Sequence, residues 1–163
     1  MEGVYNKFST VQHKIYEESK EFLLDNINRL KVNKERPVFI ADLGCSHGKN
    51  SVAMMGFILR SIMNKPELIN DVNNTEFLVY HEDQSLNDWN SLFNTILSHE
   101  SYATNMNNAY VSVINKSFYN RLFPSKYIDF FVSYLALHWL DHIPPTLPGN
   151  RIAVRLIWTH LAV

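Results

Sequence analysis

The run Val38-Phe39-Ile40-Ala41, closing on Asp42-Leu43-Gly44, most narrows what this chain can fold into. Consecutive apolar residues offer no polar face to water, so the run suits a strand buried on both faces of a parallel sheet. Gly44 and Gly48 then let the backbone turn tightly and pass close to a ligand. A helix follows, and its N-terminus offers free N–H groups. The turn lacks the middle glycine of the G-x-G-x-x-G dinucleotide pattern, which disfavours a pyrophosphate cradle. An acid ahead of a glycine turn better suits a ligand carrying an amino acid and a ribose. The equal alternative is an ordinary strand-to-helix turn.

The same alternation continues along the chain. Residues 10–31 form an amphipathic helical pattern, with Ile15, Ser19, Phe22, Leu23, Asn26, Ile27 and Leu30 on one face. Residues 49–63 form a second, with Val52, Met55, Phe57, Ile58, Leu59 and Ile62 apolar, bounded by Pro66. Residues 87–98 form a third, with Trp89, Leu92, Phe93 and Ile96 inward. Strands are expected near 38–42, 76–80, 110–114 and 128–132. Strands alternating with helices imply an α/β, Rossmann-like, mostly parallel sheet. Ligands of such sheets sit beyond the carboxyl ends of the strands.

Those ends carry suggestive residues. His81-Glu82-Asp83-Gln84 follows the second strand, and an acid there can accept hydrogen bonds from a ribose diol. Taken alone, an acidic loop is more often solvated surface. Ser117-Phe118 follows the third strand and could hydrogen-bond to and stack on an adenine, although taken alone a loop whose aromatics complete the core is the favoured reading. Ser133-Tyr134-Leu135-Ala136-Leu137-His138-Trp139-Leu140 follows the fourth.

Composition excludes several classes. The 163 residues are 46% hydrophobic, enough for one sizeable core. The formal net charge is −1, from 15 basic and 16 acidic residues with no basic stripe, so a nucleic-acid partner is not expected. No apolar signal core lies in the first 36 residues and no run of 18 apolar residues occurs, so a cytoplasmic protein without a membrane partner is expected. Cys45 is the single cysteine and cannot form an internal disulfide; it reads as a small buried turn residue. His138 and His142 stand four apart, but no third ligand follows, and no metal site is expected. His13, His47, His81, His99 and His160 read as scattered surface or loop residues.

Joined in order, five segments resemble the SABATH family of S-adenosylmethionine-dependent carboxyl methyltransferases, the salicylate and jasmonate type. They are Tyr5-Asn6-Lys7-Phe8-Ser9-Thr10-Val11-Gln12, Ile40-Ala41-Asp42-Leu43-Gly44-Cys45-Ser46, Asn87-Asp88-Trp89-Asn90-Ser91-Leu92-Phe93, Ser117-Phe118-Tyr119-Asn120-Arg121-Leu122-Phe123-Pro124 and Ala136-Leu137-His138-Trp139-Leu140. The resemblance implies S-adenosyl-L-methionine as cofactor and a small carboxylic acid as substrate. It implies that Tyr5, Ser9, Asp42 and Asn50 line the methionine end, that Asp83 holds the ribose, and that Ser117 and Phe118 contact the adenine. Gln12 and Trp139 would hold the substrate carboxylate, with His138 bordering its pocket. It assigns no catalytic acid or base. Gln84 stands where the family commonly has leucine.

Residues 1–144 are therefore expected to form the cofactor-binding part of a methyltransferase domain, with 145–163 a divergent tail lacking the resemblance. Family members are much longer, and two functional classes follow. One is an enzyme that methylates the carboxylate of a small organic acid. The other is a truncated, non-catalytic remnant that at most binds cofactor or pairs with a full-length relative. An uncovered sheet edge and the apolar stretch Ile152 to Trp158 favour self-association, a homodimer being its simplest form.

Overall fold

The computed structural model describes residues 10–71, 74–134 and 136. Four parallel strands form one sheet: β1 (Val38–Leu43), β2 (Phe77–Asp83), β3 (Ala109–Asn115) and β4 (Phe130–Val132), in the order β3-β2-β1-β4. The helices are α1 (Thr10–Arg29), α2 (Lys49–Met63), α3 (Trp89–Ile96) and the short α4 (Tyr102–Asn105). The α/β expectation and all four strands are borne out. β2 runs three residues further than the apolar pattern indicates, to Asp83, which takes His81 and Glu82 out of the loop and into the sheet.

Register decides which side chains share a face. Val38 pairs with Phe77, Ile40 with Val79 and Asp42 with His81, while Ile40 also pairs with Phe130 and Asp42 with Val132. Side chains alternate along a strand, so Phe77, Val79 and His81 share one face with Val38, Ile40 and Asp42. These residues are almost fully buried, and the helices pack on this side. The opposite face carries Phe39, Tyr80 and Phe131. It is partly covered by Phe123 and Tyr127 from the segment before β4, with Phe39 stacked on Tyr127 at 4.7 Å.

α1 buries Tyr16, Ser19, Leu23, Asn26 and Ile27, the spacing of a helical stripe, and Leu30 just past its end is buried too. Phe22, assigned to that stripe from sequence, is instead 52% exposed, because at one residue before Leu23 it falls just outside the buried arc of the helix. Phe93 of α3 is likewise exposed, while Leu92 and Ile96 point inward. The C-terminal carbonyls of α1 are capped by buried Lys65, whose Nζ donates to Ile27 O at 3.0 Å and Asn28 O at 2.9 Å. α2 ends at Met63, and Pro66 opens a single 3-10 turn, Pro66–Leu68.

β4 is anchored by charge. Arg36 donates two bonds to the Asp129 carboxylate, at 2.6 and 2.8 Å, and Asp129 Oδ2 also accepts from Phe39 N at 2.9 Å. That bidentate geometry is the strong form of an ion pair, and it locks the start of β4 to the start of β1. No described helix is long and apolar enough to cross a membrane.

Candidate functional site

The strand order reverses between β1 and β4, and in sheets of this kind the ligand crevice opens at the carboxyl end of that junction. A cleft of about 380 Å³ lies there, lined by Tyr16, Asp42, Gly44, Cys45, Ser46, Asn50, Ser51, Met54 and Tyr134. Its floor is the turn after β1. Gly44 (φ 84°), Ser46 (φ 52°) and Gly48 (φ 95°) all take left-handed conformations, which folds the backbone back on itself. A side chain at Gly44 would overlap the Cβ of Ala136, so this glycine also makes room for the segment after β4.

The neighbouring acids shape the turn. Asp83 Oδ2 accepts from Ser46 N at 2.7 Å, and its Oδ1 accepts from Gln84 N at 2.8 Å. Asn87 Nδ2 donates to Ser46 O at 2.8 Å from the other side. Glu82 lies on the opposite face of the sheet, fully buried, with Oε2 accepting from Gly44 N at 3.1 Å. Burial pushes its carboxyl up to about 8, although the Gly44 amide pulls the other way.

Asp42 is 1% exposed. Its Oδ2 accepts a short hydrogen bond from the Ser51 hydroxyl, and its Oδ1 has no hydrogen-bond partner among the described residues. Burial raises its carboxyl to about 7, against the pull of Ser51, with Asp83 adding repulsion. No lysine or arginine among the described residues forms an ion pair with Asp42, Glu82 or Asp83. Asp42 is thus the acid that lines the cleft, and no cation among the described residues is paired with it. A ligand that brings positive charge would satisfy the orphan oxygen and favour its ionised form.

Of the sequence-derived site residues, Asp42 and Asn50 line the cleft. Asp83 ends β2 beside it, holding the turn through Ser46. Ser117 and Phe118 follow β3 along the same edge, and the Phe118 ring reaches within 4.0 Å of where a Cβ on Gly44 would stand. Tyr5, Ser9, His138 and Trp139 lie outside the described residues, as does the side chain of Gln12. Cys45 is buried, as its place in the turn suggested, and burial drives its thiol well up, away from nucleophile range.

Several residues at or behind the cleft escaped sequence reasoning. Tyr16 from α1 and Tyr134 after β4 meet edge to face at 6.4 Å across it, and the Tyr134 hydroxyl bonds Ser19 Oγ at 3.0 Å. His81, expected at the surface, is fully buried behind Asp42; its ring bonds Ser51 Oγ through Nδ1 and Tyr102 OH through Nε2, both at 2.8 Å. The signal was available: Phe77, Val79 and His81 continue one period-2 face.

These groups make stability pH-dependent. Asp42 and Glu82 have folded-state values near 7 and 8, above their ordinary carboxyl values, so the folded chain holds protons the unfolded chain has released. His81 is pushed down to about 4 by burial and acts in the opposite sense, but only below its ordinary value of about 6.5. From pH 6.5 to 8 only the carboxyls count, so stability should fall as pH rises, by an amount on the order of 1 kcal/mol. Urea titrations across that window check it, and a rise in midpoint contradicts it.

With this geometry in view, the likenesses to known proteins are consistent. The family described as SAM dependent carboxyl methyltransferase matches residues 1–155. The chain is 33% identical over 158 residues to probable jasmonic acid carboxyl methyltransferase 2 of Theobroma cacao, covering 93% of this chain and 42% of that one. It is 34% identical over 142 residues to indole-3-acetate O-methyltransferase 1 of Arabidopsis thaliana, covering 82% and 36% respectively. Among solved structures, a loganic acid methyltransferase with SAH matches at a TM-score of 0.71 and 29% identity, covering 86% of this chain and 39% of that chain. The chain thus spans about two fifths of the length of these relatives.

Proposed function

Because the chain belongs to the SAM-dependent carboxyl methyltransferase family, we propose that its cleft binds S-adenosylmethionine and that the protein methylates the carboxylate of a small organic acid. The observation that carries this reading is Asp42 Oδ1, a buried carboxylate oxygen with no partner among the described residues, on a side chain that lines the cleft. The cofactor's α-ammonium is the countercharge such an atom needs, so the residues fit the group.

In this reading Asp42 and Asn50 take the amino-acid end, Asp83 the ribose, and Ser117 and Phe118 the adenine. Tyr5 and Ser9 join the methionine end. Bound cofactor supplies a methyl group activated by its sulfonium. The chain's part is positional. A small carboxylic acid, with an ordinary value near 4, is already ionised at neutral pH and needs no general base. Gln12 and Trp139 hold it through neutral N–H donors, which aim the carboxylate without protonating it, and His138 borders the pocket. Together these residues would set a carboxylate oxygen of the acid in line with that methyl group. Holding such reactants in line can supply about 7–11 kcal/mol of the barrier.

The alternative, a chain that binds cofactor but turns over little, draws on the share of its relatives that these residues span. A labelled-methyl assay over small aromatic and aliphatic acids, run beside calorimetric titration with S-adenosylhomocysteine, separates the two. From these 163 residues alone we expect binding with poor transfer, because they span about two fifths of the relatives' length and most residues of this reading serve the cofactor, not the acid. Robust turnover would favour the enzyme reading outright; absence of binding would overturn both.

A further inference from the structure

Behind Asp42 runs a line of three buried polar side chains that the methyl-transfer reading does not use. Ser51 is 5% exposed, His81 0% and Tyr102 2%. They come from α2, β2 and α4; Ser51 bonds Asp42, and the Ser51–His81 and His81–Tyr102 contacts are both 2.8 Å.

With Asp42 ionised, the hydrogen count fixes the direction of every bond. A serine hydroxyl has one proton, and Ser51 gives it to Asp42 Oδ2. At the next contact Ser51 Oγ must therefore accept, so His81 carries its proton on Nδ1. Its Nε2 is then an acceptor, and the Tyr102 hydroxyl donates to it. Burial supports this assignment at both ends. It keeps the imidazole neutral down to about pH 4, and it drives the phenol well above its ordinary value, so Tyr102 remains a donor.

We propose that Tyr102, His81 and Ser51 form a one-way hydrogen-bond relay that positions Asp42, occupying Oδ2 so that Oδ1 is presented to a cationic group of the ligand. Without the relay both carboxylate oxygens would compete for the cleft, and the side chain could rotate between them. Within the cofactor reading, on which this inference rests, the cationic group is the α-ammonium at the amino-acid end. Tyr102, His81 and Ser51 are positioning residues; only Asp42 meets the ligand.

The probes are S-adenosylhomocysteine, which carries the amino-acid end, and 5′-methylthioadenosine, which lacks it. Tyr102→Phe removes one hydroxyl and keeps the ring. It should weaken S-adenosylhomocysteine binding about 3- to 10-fold, the usual effect of one lost hydrogen bond, and leave 5′-methylthioadenosine unchanged. In an Asp42→Asn background the same change should have no further effect. Independently of any ligand, nitrogen-15 spectra of histidine-labelled protein should show His81 neutral and protonated on Nδ1 at pH 8 to 9, above the value of about 7 to which burial raises Asp42. Equal loss of both probes, additive losses in the double variant, or the Nε2–H form of His81 each overturn the relay while leaving the cofactor site intact. If the unaltered protein binds neither probe, the cofactor reading falls and takes the ligand-facing role of the relay with it.

Discussion

At pH 8 an Asp42→Asn variant is expected to bind S-adenosylhomocysteine about 10- to 100-fold more weakly than the unaltered protein, the range for losing a hydrogen bond to a charged group. The same variant should melt no lower. The two results go together because of where Asp42 sits. It is buried, lacks an ion-pair partner among the described residues, and is pushed up to about 7, so at pH 8 the folded protein carries a poorly solvated negative charge. Asparagine keeps the shape and can still accept from Ser51, but it removes that charge. Stability is thus spared or gained while the attraction for a cationic ligand is lost, a common trade at binding sites. Calorimetric titration and thermal melting on one preparation check both halves. Unchanged affinity would remove Asp42 from the site.

Gly44→Val is expected to cost about 3 kcal/mol of stability, combining a left-handed backbone penalty with overpacking. For a chain of this size that corresponds to a melting temperature lower by roughly 6–12 °C. The backbone there has φ 84°, which a β-branched residue adopts badly, and the added side chain would run into Ala136. Gly56→Ala is the control. Gly56 sits in α2 without positive φ, and its nearest obstacle is the Arg60 guanidinium at 3.2 Å, the flexible end of a long side chain. Its melting point should move by about a quarter as much or less, since alanine also favours a helix interior. Equal shifts at both glycines would show that the turn tolerates a side chain after all.

The sequence announced the sheet through its apolar runs. Val38 to Ala41 and Phe77 to Tyr80 became β1 and β2 because both faces of a central parallel strand are covered, which leaves no polar alternation to confuse the pattern. The polar ends of those strands were harder to read. His81 and Glu82 look like loop residues by type, yet both are fully buried. What places them inside is tertiary: Ser51 and Tyr102 stand ready to bond the imidazole, and the Gly44 amide receives Glu82. α4 escaped notice because four residues are too few to display a helical period; its only local sign is Ser101, whose hydroxyl caps Ala103 N. In the candidate site, Asp42 at the end of β1 and Asn50 at the start of α2 were found through the family resemblance of the segment around that strand. Tyr16 and Tyr134 were not, because α1 and the end of β4 become neighbours only once the sheet has formed.

The position of β4 also bears on how the chain reaches this arrangement. β1 lies beside β2, its next strand in sequence, but its other neighbour is β4, whose Phe130 pairs with Ile40 some ninety residues away. Closing so long a loop costs entropy before any contact rewards it, and three residues of ladder are a small reward. β1, β2 and β3 with their helices can assemble first from nearer contacts; β4 then docks onto a prepared edge, guided by the Arg36–Asp129 pair. The wall of the cleft that contains Tyr134 is thus the last part to be built and, by the same reasoning, the first to open.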